Sequence, residues 1–87
     1  MERLVGEVLG WLLERTERNV ASITPRRLRK IARRSARRLT AAEVKKLMDE
    51  VLEEVSKERE VFVKRKNNGV RVAFILPRGV ENPYLEA

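Results

Sequence analysis

Apolar residues recur every three or four positions along most of the chain and every second position near its end. At 100° per residue the first spacing predicts helices with one apolar stripe each, whereas the second predicts strands. In chain order we expect a helix from Glu2 to about Arg18, a short extended piece at 22–25, a helix from Pro25 to about Arg37, a helix from Ala41 to about Lys57, and strands at 61–66 and 70–76.

Two threonines mark where the second and third helices begin. Thr24 stands directly before Pro25, the order expected of an N-cap followed by the first helical position. Thr40 and Glu43 have the spacing of a capping box, in which each side chain accepts a hydrogen bond from the other residue's backbone N–H. The stripe that we expect the second helix to bury consists of Leu28, Ile31, Ala32, Ser35 and Leu39.

The sequence Asn67-Asn68-Gly69 separates the two predicted strands. Asn-Gly favours a two-residue type I′ turn, because that turn needs positive φ at both central positions. Such a turn would place Val63 opposite Phe74 and Val61 opposite Leu76 on one face of a two-stranded hairpin. The change of period near Glu60 therefore predicts an α+β protein of three helices followed by a hairpin.

The 87 residues suffice for one domain with a modest core. We expect that domain to span residues 1–77 and a flexible C-terminal tail to span 78–87, because Pro77, Gly79 and Pro83 end regular structure. No signal peptide or membrane-length apolar run is visible, so we expect a soluble, cytoplasmic protein without a membrane partner. The 38% charged fraction favours a hyperthermophilic source.

Positive charge is concentrated in the second predicted helix. The chain has a formal net charge of +7, and no Asp or Glu occurs from Asn19 to Ala42. Cations four positions apart on a helix repel each other, and a polyanion would relieve that repulsion. A solvated, thermostable surface is the alternative explanation. The eight cations are Arg26, Arg27, Arg29, Lys30, Arg33, Arg34, Arg37 and Arg38.

Two smaller basic groups lie further along the chain. Lys64, Arg65, Lys66 and Arg71 flank the predicted hairpin turn, where they would either contact an anion or keep an exposed strand edge from pairing. Thr40, Lys45 and Lys46 lie in the first turns of the third helix. The later acidic residues of that helix would be repelled by phosphate.

The order of elements resembles the winged-helix family of helix-turn-helix domains. The resemblance covers Glu2–Leu76 and is carried by Ile23-Thr24-Pro25 before Leu28-Arg29-Lys30-Ile31-Ala32, by Thr40, Val44 and Leu47 in the next helix, and by the Asn-Gly hairpin. The small basic winged-helix proteins of hyperthermophilic archaea look most similar. The resemblance implies that the third helix enters the major groove of DNA, while the wing contacts the backbone or the minor groove.

These features predict a nucleoid-associated, double-stranded-DNA-binding protein in transcription regulation or chromatin organisation. The cations outnumber the side chains of the third helix that could contact base edges. We therefore expect mainly phosphate contact and weak sequence preference. A structured-RNA-binding module and a protein-interaction winged helix are the alternatives. The absence of His and Cys argues against an enzyme, a metal site or any other cofactor.

Two glycines and a tryptophan in the first helix suggest a contact surface. Gly6 and Gly10 lie one turn apart, which would let another backbone approach closely. We expect close packing within the chain, with a homodimer contact through Gly6, Gly10 and Trp11 as the alternative. Trp11 lies off the main apolar stripe, where we expect it to cover the edge of the core.

Overall fold

The computed structural model of the chain describes residues 2–80, which form three helices and three short strands. The α+β class and the three helices are as the sequence predicts. The elements are α1 (Glu2–Arg15), β1 (Ala21–Ile23), α2 (Pro25–Arg34), α3 (Ala41–Val55), β2 (Val61–Arg65) and β3 (Arg71–Ile75).

Helix α3 lies at the centre of the core, where it packs against both α1 and α2. Its buried stripe includes Leu47, Met48 and Val51, which lose almost all contact with solvent. Leu12 of α1 and Leu28 of α2 meet this stripe from either side. The inner face of the sheet closes the core with Ile23, Ala73 and Ile75.

Both predicted helix starts are confirmed. The Thr24 hydroxyl accepts a hydrogen bond of 3.1 Å from the backbone N–H of Arg27. The Thr40 hydroxyl accepts one of 3.1 Å from the N–H of Glu43, whose carboxylate accepts one of 3.0 Å from the N–H of Thr40. The capping box therefore satisfies two backbone donors at the start of α3.

Helix α2 ends at Arg34, three residues before the predicted end. Ala36 has a left-handed backbone with φ of 54°, and the N–H groups of Ala36 and Arg37 bond to the carbonyls of Arg33 and Ala32. This is a Schellman motif, which usually has glycine at the left-handed position. The prediction that Ser35 is buried is also wrong, because the turn leaves it exposed.

Helices α1 and α3 are likewise shorter than predicted. α1 ends at Arg15 rather than near Arg18, and α3 ends at Val55 rather than near Lys57. Arg59, whose side chain is only 5% exposed, caps the end of α1. Its guanidinium donates to the Thr16 hydroxyl over 3.0 Å and to the Leu13 carbonyl over 3.2 Å.

The prediction of a two-stranded hairpin is wrong, because the strands belong to a three-stranded antiparallel sheet. The strand order is β1-β3-β2, so the last strand in the chain is the central one. Ala21 of β1 pairs with Ile75, and Ile23 pairs with Ala73. The extended piece before α2 is thus a strand in its own right.

The predicted register of the hairpin is wrong by one residue. Val63 pairs with Ala73 and Val61 with Ile75. The turn has three residues instead of two: the Gly69 N–H bonds to the Lys66 carbonyl, and Gly69 alone in the turn has a positive φ, of 82°. This is the type I turn with a bulge that three-residue hairpin loops favour.

The glycines of α1 do not pack closely within the chain. A Cβ atom placed on Gly6 or Gly10 would meet no other atom within 4 Å, so that prediction is wrong. Trp11 is half-buried against the core, as predicted. Of the predicted tail, Arg78 donates its N–H to the Thr16 carbonyl over 2.7 Å, and residues 81–87 lie outside the described range.

Candidate nucleic-acid interface

The cations of α2 point to two different sides of the molecule. Arg29 donates a hydrogen bond of 2.7 Å to the Leu39 carbonyl, which places it on the side of α3. Arg27 lies over the Trp11 ring, 5.5 Å from its centroid, on the side of α1. Positions two apart on a helix differ by about 200°, so these two residues mark opposite flanks. Arg26 and Lys30 lie between the flanks and face solvent.

A concave cleft lies at the turn between α2 and α3, on the first of these flanks. Four arginines line it, namely Arg29, Arg33, Arg37 and Arg38, and its described lining contains no carboxylate. The Schellman motif forms this cleft, since it turns the chain back after Arg34 and places Arg37 and Arg38 opposite α2. A concave site lined by one sign of charge focuses the potential and attracts anions.

One acidic residue approaches the edge of this cleft. A Glu43 carboxylate oxygen lies 4.0 Å from the Arg37 guanidinium. The hydrogen bonds from the backbone N–H and the hydroxyl of Thr40 lower the pKa of Glu43, and nearby Arg37 lowers it further. Glu43 therefore stays ionised and offsets part of the Arg37 charge, while Arg29, Arg33 and Arg38 keep theirs.

A second depression, the hairpin groove, runs between the start of α3 and the β2–β3 hairpin. Its cations include Arg29, Lys45 and Arg65. Arg71 also lines the groove, but its guanidinium forms an ion pair of 2.8 Å with Asp49. Arg65 and Arg71 are cross-strand neighbours. Like charges in that position repel each other. The Asp49 carboxylate reduces this repulsion by pairing with Arg71, and the Arg65 side chain stays exposed to solvent.

The structure does not gather all of the cations predicted at the hairpin. Successive strand residues point to opposite faces of a sheet, so Lys64 lies on the face away from α3. Lys66 lies beside the turn, where its N–H bonds to the Val70 carbonyl. Arg71 is the first residue of β3 and pairs with Arg65, so it lies near the turn as predicted, but its guanidinium is directed to Asp49 of α3.

Thr40, Lys45 and Lys46, the predicted nucleic-acid contacts at the start of α3, face different surroundings. Lys45 faces the hairpin groove, whereas Lys46 lies about 100° further round the helix and faces solvent. The Thr40 hydroxyl is engaged in the capping box, where it accepts the Glu43 N–H.

Beside the flank of α2 that faces α1 lies a cationic residue of α1 that was not among the predicted site residues. The Arg15 guanidinium lies 5.8 Å from the Trp11 centroid, so the ring holds both Arg15 and Arg27. Arg15 follows Trp11 by four positions, and that spacing alone places the two side chains on neighbouring surface of a helix. Exposed Arg34 lies two turns after Arg27 and on the same side.

Most of these cations have no acidic partner. Of the fifteen residues predicted to bind nucleic acid, only Arg37 and Arg71 form an ion pair with any carboxylate in residues 2–80. The acids of α3 lie mainly in its second half, at Glu50, Glu53 and Glu54. Charge is therefore unbalanced at the α2–α3 turn and at the hairpin, where cations face solvent.

Other kinds of site find no support within the described range. No three His, Cys, Asp or Glu side chains of residues 2–80 come together in a way that could hold a metal ion. None of the described helices is both long enough and apolar enough to cross a membrane. Comparison with protein-family models, curated proteins and solved structures gives no significant match for this chain.

Proposed function

We propose that this protein is a winged-helix domain that binds double-stranded DNA, mainly through phosphates and with weak sequence preference. The position of Arg29 supports this most directly, because Arg29 lines both the turn cleft and the hairpin groove. The cations on either side of it therefore form one continuous surface, the cationic face. A DNA backbone is a regular row of anions, which a face of this kind suits.

Each element of the cationic face has a distinct role in this proposal. Arg33 and Arg38 bind phosphates at the turn, where the planar guanidinium can donate two parallel hydrogen bonds to one phosphate. Helix α3 approaches the major groove with Lys45, and the β2–β3 hairpin acts as the wing with Arg65. The first turns of α3 hold few groups suited to base edges, and Glu43 is engaged in the capping box. Sequence readout is accordingly weak.

Such binding fits a role on the chromosome, either in organising DNA or in local regulation of transcription. Organising DNA needs a protein that holds many sites with similar affinity, and phosphate contact provides this because every sequence presents the same backbone.

A salt titration of binding to a short duplex tests the proposal. Neutralising about six to eight phosphates predicts a log–log slope of the association constant against salt near −5 to −7. The double variant Arg33→Gln and Arg38→Gln removes two phosphate contacts and should make the slope shallower by about 2. Lys57→Gln is the matched control, because Lys57 is exposed, pairs with Glu54 over 3.1 Å and lies away from the cationic face.

Two outcomes would refute the proposal. A wild-type slope near zero would mean that phosphates do not drive binding. A structured RNA that displaces the duplex at equal concentration and salt would instead assign the face to RNA. Duplexes of unrelated sequence should bind within a few-fold of one another.

A further inference from the structure

We propose that the flank of α2 facing α1 binds a second DNA duplex, so that one protein molecule bridges two duplexes. This inference rests on the proposed function, since the first duplex occupies the cationic face. The second surface, here called the tryptophan flank, combines this side of α2 with the adjoining end of α1 and consists of Trp11, Arg15, Arg18, Arg27 and Arg34. Its ligand is the phosphate backbone of duplex DNA.

The geometry of α2 separates the two surfaces. Arg29 is held towards α3 by its hydrogen bond to the Leu39 carbonyl, and Arg27 is held towards α1 by the Trp11 ring. These side chains leave the helix about 160° apart, measured the shorter way round. A rigid duplex lying against the cationic face contacts one side of α2, so it leaves the tryptophan flank open to solvent.

The tryptophan flank is built to hold cations in place without neutralising them. The Arg15 and Arg27 guanidinium groups lie 5.8 Å and 5.5 Å from the centroid of one ring. A cation above an indole ring is attracted by its π electrons and keeps its full charge. Neither arginine forms an ion pair with a carboxylate of residues 2–80, so both retain free donors for phosphate oxygens.

The acids near the flank leave it with a positive balance. Glu14 and Glu17 line a shallow depression beside Trp11. Glu17 is occupied, because its carboxylate oxygens lie 3.4 Å from Arg59 and 3.5 Å from Arg78. Glu7, one turn before Trp11, accepts the Ser35 hydroxyl over 2.9 Å and lies 3.9 Å from Arg3. Glu14 has no ion pair within residues 2–80, and the four arginines of the flank still outnumber the three acids beside them. An acidic protein segment would also suit them, but a chain that already holds one duplex meets neighbouring DNA at high local concentration.

A capture assay tests bridging directly. Duplex DNA is fixed to beads, and a labelled duplex of unrelated sequence is added with increasing amounts of the full chain. We expect capture to rise, pass through a maximum and fall, because excess protein saturates both duplexes separately. Wild-type protein that binds a single duplex but captures no second one would overturn the inference, whereas protein that binds no duplex at all would overturn the proposed function.

Variants distinguish the loss of bridging from the loss of affinity for a single duplex. The triple variant Arg15→Gln, Arg27→Gln and Arg34→Gln keeps the aliphatic stems but removes three charges, and should reduce capture at least fivefold. Its dissociation constant for one short duplex should rise less than threefold. Arg34→Glu, a single exposed change away from the ring, should also reduce capture if the triple variant fails to fold.

The matched control is the cationic-face variant Arg33→Gln and Arg38→Gln, which should lose single-duplex affinity and capture together. Unchanged capture by the triple variant would show that bridging comes from another source, such as a protein dimer, and would overturn the inference. Equal losses of affinity and capture in the triple variant would show one continuous surface, which would also overturn it.

Discussion

Replacement of Ala36 by glycine should stabilise the protein. Ala36 occupies the left-handed position of the Schellman motif that ends α2, with φ of 54°. The left-handed conformation costs an L-residue with a side chain about 1–2 kcal/mol. Glycine avoids that cost, but its greater freedom in the unfolded chain costs about 0.5–1 kcal/mol. The net expected gain in unfolding free energy is about 0.5–1 kcal/mol.

This gain is measurable in a domain of this size. For a domain of 60–100 residues, 1 kcal/mol shifts the melting temperature by about 4–8 °C, so Ala36→Gly should raise it by roughly 2–8 °C. Urea unfolding should show a higher midpoint with an unchanged slope, because the surface exposed on unfolding stays the same. The slope of DNA affinity against salt should not change, since the arginines of the turn cleft remain.

Two further variants distinguish relief of strain from a general effect of glycine. Ser35 has a negative φ of −99°. Its hydroxyl donates to a Glu7 carboxylate over 2.9 Å. Ser35→Gly should therefore destabilise the protein. Ala36→Val should destabilise it more, because a β-branched residue tolerates the left-handed region poorly. An Ala36→Gly protein no more stable than wild type, together with a tolerated valine, would refute the reasoning.

Three other substitutions probe contacts that the structure reveals. Arg59→Met should lower the unfolding free energy by about 2–3 kcal/mol in urea titrations, because it removes buried hydrogen bonds to Thr16 and to the end of α1; a loss below about 0.5 kcal/mol would contradict this role. Asp49→Asn should free Arg71 and strengthen duplex binding several-fold at low salt, with a slope steeper by about 0.9; unchanged affinity would place Arg71 away from the DNA. Glu43→Gln should destabilise the protein at neutral pH. Because folding lowers the pKa of Glu43, its ionised form favours the folded state: the difference from wild type should be complete above the ordinary glutamate pKa of 4.5 and vanish as pH falls through the lowered value. A difference that persists in acid would contradict the assignment.

Local signals in the sequence predicted the helix starts but not the helix ends. Thr24 and Thr40 act within three residues of themselves, so their spacing to Pro25 and Glu43 is sufficient to recognise them. The end of α2 depends on Ala36 adopting a conformation that alanine disfavours, and neither glycine nor proline signals it. The hairpin register failed for a similar reason, because Asn-Gly fits both a two-residue and a three-residue loop.

The sequence predicts which cations belong to the candidate site, but not which side of the molecule each of them faces. The run of cations without acids is plain in the sequence, and it places the charge on α2. Which side each cation faces depends on distant partners: Trp11 holds Arg27, the Leu39 carbonyl holds Arg29, and Asp49 holds Arg71. The pairing of β1 with β3 was missed because a three-residue strand is too short to show an alternating pattern.

The central place of β3 in the sheet has a consequence for synthesis on the ribosome. Within residues 2–80, β1 and β2 each pair with β3 and not with one another, and β3 ends at Ile75. A nascent chain that has not yet released β3 from the exit tunnel has every helix but no sheet, and the inner face of its core lacks Ala73 and Ile75. The complete core must therefore wait until β3 has left the tunnel. Until then the basic helix α2 stands outside the tunnel without a completed core, close to ribosomal RNA.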